Sequence, residues 1–236
     1  MYGYGYGYYG FDWTYILLII GMLLSLAASA RLKSTFSYYR RIRSASGLTG
    51  AETAKRILQA AGITDVHVRA ISGSLTDHYD PRTKTVSLSK DIYGQTSLAA
   101  VGVAAHECGH AIQHAIGYAP LEFRSAIVPV ANFGSTLSWP LFLIGLFSGI
   151  RPLVTAGIVL FSLAVLFQLV TLPVEINASS RALKMLQSTG ILGTDETRGA
   201  RKVLTAAAMT YVAALAASIL QLLRLLILAG GRRRDD

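Results

Sequence analysis

Charge is what this 236-residue chain has least of. Asp, Glu, Lys and Arg make up 15% of it, against about 25% in an ordinary soluble domain. Together with 52% hydrophobic residues, that scarcity excludes an ordinary water-soluble enzyme and points to a surface kept largely in lipid. Acidic residues are the rarer sign, 13 against 22 Lys and Arg. Nucleic acid is the usual partner of a basic chain, but these basic residues flank apolar runs, so no nucleic-acid partner is expected. Cys108 is the only cysteine, which excludes an intramolecular disulfide and fits a reducing compartment. Residues 1–12 contain no Lys or Arg, so they lack the positive start of a cleavable signal peptide. That Gly/Tyr-rich tail is expected to lie disordered or at the membrane–water boundary, without chemistry of its own.

What the chain does have is apolar runs of membrane length, about 20 helical residues each. They cover residues 13–32, a hairpin over 126–174 broken only by Arg151-Pro152, and 203–229. The fourth run contains Gln221 and Arg224 and is followed by Arg232, Arg233 and Arg234 in a 230–236 tail, so three or four transmembrane helices are expected. Arg31, Lys33, Arg40, Arg41 and Arg43 follow the first span with no acid before Glu52. Positive charge favours the cytoplasmic side, which puts the N-terminus outside and residues 33–125 in the cytoplasm. Arg181, Lys184, Arg198, Arg201 and Lys202 agree for residues 175–202, expected as a cytoplasmic helix, and Arg124 and Arg181 read as ordinary juxtamembrane anchors. The chain therefore reads as a multi-pass plasma-membrane protein whose constant partner is the lipid bilayer.

The polar region between the first two spans reads as helix, small sheet, then helix. Thr49 and Glu52 have capping-box spacing before a helix over 54–61, ended by Gly62. Residues 66–70 and 84–89 alternate as strands do, and Asp80-Pro81-Arg82-Thr83 is turn chemistry. A further helix is expected from about Ser97 to Ile116. The fold class is thus a mostly α membrane protein with a small α+β cytoplasmic domain.

That last helix carries His106-Glu107-Cys108-Gly109-His110. With five His and five Glu in the chain, random placement produces this pattern in roughly 0.002 of shuffled sequences. Residues i and i+4 lie about 40° apart around a helix and one turn apart along it. Both imidazoles can thus reach one Zn²⁺, with Glu107 beside them as general base for a water. Cys108 lies about 200° around from His106 and reads as a packed residue. A catalytic zinc needs a third protein ligand and one open position. The candidates are His114, Glu122, Glu175 and the remote histidines. His114 lies about 12 Å along the helix from His106, too far for a shared ion, and reads as a neighbour of the site or as surface. Glu175 is better placed, just past the third span and on the same expected side. There a membrane-boundary carboxylate needs compensation such as a cation; its alternative role is a helix-start charge, with Pro173 just upstream. The second polar concentration is Thr76-Asp77-His78-Tyr79-Asp80. Asp77, His78 and Tyr79 are candidates for contacting substrate or an oxyanion, with residues 84–89 as a strand for substrate to pair with. The alternative there is an Asx-turn cluster organising a loop.

Motif helix, transmembrane hairpin and then Glu175 resemble the gluzincin arrangement of membrane proteases of the HtpX and CAAX-prenyl type. In those families the third ligand opens a Glu-x-x-x-Asp motif; here the last position is Ser179. The chain is more closely similar to the YugP-like membrane zinc metallopeptidases. The residues that carry this are Leu75-Thr-Asp-His-Tyr-Asp-Pro-Arg82, Val86-Ser-Leu-Ser89, Ala104-Ala-His-Glu-Cys-Gly-His-Ala111 and the 203–213 stretch. The resemblance implies a zinc peptidase with a zincin-like domain and His106, His110 and Glu175 as ligands, but it supplies no substrate. Ser179 and His114 are the candidates for supporting the ligands, and a peptidase takes a protein or peptide as its partner. Two rivals stand beside it: a non-catalytic membrane scaffold or chaperone with a zinc site, and a site-2-type intramembrane protease suggested by the apolar run 98–105. Nothing in the residues specifies an oligomeric state.

Overall fold

A computed structural model describes residues 12–231; residues 1–11 of the Gly/Tyr tail and the Arg232–Arg234 cluster lie outside the described residues. The order of elements is α1 (Tyr15–Tyr39), α2 (Gly50–Ala60), β1 (His67–Ile71), β2 (His78–Asp80), β3 (Thr85–Ser89), α3 (Lys90–Tyr93), α4 (Leu98–Ala115), α5 (Ala119–Ser148), α6 (Arg151–Ser188) and α7 (Thr194–Gly231). Among the described residues four helices, α1, α5, α6 and α7, are long and apolar enough to cross a membrane. Their exposed residues include Ile16, Ile19, Ile20, Val159, Leu166 and Leu169, as expected of surfaces that face lipid rather than water.

The expected boundaries shift in an instructive way. The 126–174 hairpin is longer, because α5 begins at Ala119. Glu175 does not open a helix: α6 runs unbroken through Pro173 to Ser188, so the expected 175–202 helix is the tail of the third span joined by a turn to the head of the fourth. Proline inside a helix is tolerated where neighbouring helices support it, and α6 packs against α4, α5 and α7. The α5–α6 turn is made by Gly149 at φ 73°. Below it Gly157 lets the helices close, since a Cβ there would lie 2.8 Å from the Ser138 carbonyl oxygen.

The fourth apolar run is as long a helix as the third and lies antiparallel to α1 along its length. Gly199 meets Tyr39 at one end, Gly21 meets Ala217 midway, and Arg224 reaches Thr14 Oγ1 at 3.3 Å at the other. Of the polar positions that made this run ambiguous, Arg224 is thereby accounted for, whereas the side-chain amide of Gln221 is buried with neither polar atom hydrogen-bonded. Arg224 is buried and stacks over the Tyr15 ring with 4.5 Å to its centroid. A guanidinium over an aromatic face, with a hydroxyl partner, keeps its charge compensated at the end of the helix pair.

The extramembrane elements pack on the motif helix. The capping box at Thr49 and Glu52 is formed as expected, and Ser97 caps α4 by accepting from the Ala100 amide at 3.2 Å. The sheet has the order β1-β3-β2, with β1 parallel and β2 antiparallel to β3. Residues 84–89 were expected to offer an edge to substrate. Instead β3 is the central strand, buried at every position, with both edges already paired. The free edge on the side of the motif helix is β2, formed by the His78–Asp80 segment that composition alone left between loop and site. The core beneath the sheet joins Ile57 and Leu58 of α2, Val86 and Leu88 of β3, and Ala100, Ala104 and Cys108 of α4.

Candidate metal centre

Small residues bring two helices together at the motif. A Cβ on Gly109 would collide with the Ala178 carbonyl oxygen of α6, so glycine at this position lets α4 lie directly against α6. That approach carries Glu175 to the histidines. Glu175 Oε2 is 3.3 Å from His106 Nε2 and 3.5 Å from His110 Nε2, and ligand atoms of the three residues lie within 4.8 Å of one another. Among the described residues this is the one group of three or more His, Cys, Asp or Glu so placed. Tetrahedral ligands about 2.0–2.1 Å from zinc stand roughly 3.3 Å apart, so the spacing fits that ion, with one position left over.

The other ring nitrogens are engaged in the way ligand imidazoles require. His106 Nδ1 is 3.1 Å from Ser179 Oγ, and His110 Nδ1 is 3.0 Å from Gln113 Oε1. A proton held on Nδ1 leaves the Nε2 lone pair for a metal. Ser179 thus stands where the related motif has an acid, and a hydroxyl can accept that proton as well. Gln113 is fully buried and donates from Nε2 to the Val174 carbonyl at 2.9 Å and to Asn177 Oδ1 at 3.0 Å. Arg181 Nε donates to the same Asn177 oxygen at 2.7 Å. Gln113, Asn177 and Arg181 went unread in the sequence as parts of a site. The signal was present: Gln113 lies one turn after His110, and Asn177 two residues after Glu175.

Arg124, expected as a plain juxtamembrane anchor, instead places Nη1 3.6 Å from Glu175 Oε1. It occupies the carboxylate oxygen that faces away from the histidines. Tyr211 of α7 also lines the cleft beside Glu175; it lay within the 203–213 stretch without being singled out. Glu107 is buried and forms part of the cleft wall next to His106 and Glu175. Burial pushes its carboxyl above the ordinary glutamate range, and the carboxylates of Glu175 and Asp77 act in the same direction.

The remaining expected residues are spread around this centre. Asp77 accepts from the Ser89 amide at 2.7 Å and the Ser89 hydroxyl at 3.1 Å, which ties β2 to the start of α3. That is the loop-organising role, although Asp77 also borders the cleft. Tyr79 Oη is 2.8 Å from His114 Nδ1, and burial, with the Asp65 and Asp80 charges, pushes its hydroxyl up to about 12. His114 therefore supports β2 against α4 and does not join the metal ligands. His78 is exposed and bonds the Thr76 carbonyl through Nδ1 at 2.9 Å. Glu122 lies in the first turn of α5, outside the ligand group. Cys108 faces away from the cleft, 3.5 Å from the Ala54 carbonyl oxygen, and burial raises its thiol.

Known proteins resemble the chain over most of its length. No solved structure matches the chain. A curated relative from Bacillus subtilis (strain 168), named "Putative membrane protease YugP", is 49% identical over 220 residues, 92% of this chain and 98% of that protein. With four apolar helices as well, the chain is a multi-pass membrane protein. Residues 14–230 match the family described as "Putative neutral zinc metallopeptidase", and the chain belongs to that family.

Proposed function

We propose that this protein is an integral-membrane zinc endopeptidase that hydrolyses peptide bonds of membrane or membrane-proximal proteins on the cytoplasmic side. The observation that carries the proposal is the meeting of His106, His110 and Glu175 within 4.8 Å with Glu107 in the same cleft wall. His106, His110 and Glu175 would hold the ion. Bound zinc supplies Lewis acidity, polarising a scissile carbonyl and acidifying water. Glu107 takes a proton from the attacking water and delivers it to the departing amine. Arg124 holds the outer oxygen of Glu175, and Ser179 and Gln113 fix the two imidazoles. His78 has its Nδ1 committed to Thr76, leaving Nε2 as the group in the Asp77–Tyr79 run available to an oxyanion. The extended substrate pairs with β2, the free edge, rather than with β3.

Cytoplasmic placement and an outside N-terminus rest on the basic residues that follow the first span and those that follow the third. A scaffold role is disfavoured because a structural zinc site normally has four protein ligands, and this cluster has three beside a general base. An intramembrane protease is disfavoured because α4 is not among the four membrane-length helices and packs on α2 and the sheet. The test compares zinc content and casein cleavage for wild type and Glu107→Gln in detergent. The expected outcome is about one zinc per chain in both, with cleavage lowered ~100- to 10 000-fold in the variant. Full activity in Glu107→Gln would overturn the assignment.

A further inference from the structure

The cleft divides into two unlike lobes around His106, Glu107 and Glu175. One lobe, about 280 Å³, is bordered by β2 and α5 and carries His78, Tyr79 and Arg124. The other, about 170 Å³, lies between α1, α4 and α7. Its wall beyond the shared residues is apolar: Leu32 and Phe36 of α1, Val103 of α4, and Leu204, Ala207 and Ala208 of α7. The polar side chains that line it beside the motif residues are already engaged, Asp77 with Ser89, Ser179 with His106 and Tyr211 with Glu175. The space exists because α7 presents two consecutive alanines where a larger side chain would fill it.

We infer that the lobe between α1, α4 and α7 is the specificity pocket of the peptidase, receiving a large apolar side chain next to the scissile bond. This rests on the peptidase reading for the position of that bond. Size supports it, since an apolar cavity of ~150 Å³ admits benzene. Chemistry supports it too: an acidic side chain there would be desolvated against an apolar wall whose polar neighbours are already engaged, which is costly. The location narrows the substrate class. Leu32 and Ala207 belong to the ends of the two apolar runs, so the pocket opens where a chain leaving the bilayer still carries apolar residues. Substrates are therefore membrane-proximal segments cut beside a Leu-, Met- or Phe-like residue.

The test uses the full-length zinc-loaded protein in detergent with a peptide library, cleavage positions being mapped by mass spectrometry. Wild type is expected to enrich large apolar residues over Asp at one position flanking the cut by at least ~10-fold, within the discrimination an apolar pocket can deliver. Ala207→Phe is expected to move that preference to Gly and Ala. Val103→Ala, which enlarges the pocket and tests the same wall without crowding, is expected to extend it to Trp. An unchanged profile in both variants, or no apolar enrichment in wild type, overturns the pocket while leaving the peptidase intact. Binding separates the two ideas. Glu107→Gln is titrated with fluorescent peptides carrying Phe or Asp at the selected position. A Phe preference that Ala207→Phe abolishes upholds the pocket even where wild type cuts nothing; no preference overturns it.

Discussion

The two halves of α6 are one continuous helix with opposite tasks. Residues 151–174 are apolar, and outward positions such as Val159, Leu166 and Leu169 are exposed. Their inward face meets α5 through Gly157. Residues 175–188 carry Glu175, Asn177, Ser179 and Arg181, each bonded to a named partner on α4, on α5 or within α6. Backbone geometry does not distinguish the halves, and Pro173 at their border does not separate them. The difference lies in what each half faces. Lipid asks only for apolar bulk, whereas the face against α4 must satisfy every buried polar group, because an unpaired one in low dielectric is expensive. Tolerance to substitution should therefore change sharply at Val174.

The largest effect should follow removal of Glu175. Glu175→Ala is expected to weaken zinc affinity by more than about 100-fold, beyond the ~10- to 100-fold typical of residues that only support a ligand. Competition with a chelating dye measures it, and undiminished affinity would remove Glu175 from the ligand set. Next comes the support on α4. Gln113→Leu should cost ~10- to 100-fold in zinc affinity, since it strips His110 of its Nδ1 partner. Ser179→Ala, which removes a single hydroxyl from an imidazole that keeps its helix position, should cost less; an inverted order would show that the Gln113 network is not what holds the site. Gly109→Ala tests the helix junction itself. Overpacking against the rigid Ala178 carbonyl should cost about 1–3 kcal/mol, read as a lower thermal midpoint in detergent together with reduced zinc binding. At the other extreme, Leu169→Ala on the exposed face of the membrane half should shift stability by no more than ~0.5 kcal/mol. A loss as large as that of Gly109→Ala would erase the contrast between the two halves.

Legibility in the sequence followed the range of the physics involved. Apolar runs of span length, the capping box at Thr49 and the His-x-x-x-His spacing are set by neighbours within a turn or two, and each appears where it was expected. Glu175 was reachable because its position relative to a span is also a local fact. The strand order was not legible: residues 84–89 look like a strand from composition, but only pairing with β1 and β2 puts them at the centre of the sheet. Arg124 looked like a juxtamembrane anchor because nothing local reveals that α5 returns beside α6. Gln113, Asn177 and Tyr211 were passed over because common polar residues acquire meaning from a partner 61 or 64 positions away or from a cleft shared with α4 and α6.

The sequence by itself determined that the chain lives in a membrane, that three or four runs can span it, and that one helix presents two imidazoles and a carboxylate on neighbouring faces. Hydrophobic length and helical periodicity are properties of short segments and need no fold to be read. The tertiary structure alone decided that Gln113 and Arg124 support the ligands, that β2 rather than β3 offers the free edge, and that two alanines on α7 leave room beside Glu107. Those outcomes depend on which surfaces oppose each other across distant parts of the chain, and that depends on close packing such as the glycine contact between α4 and α6.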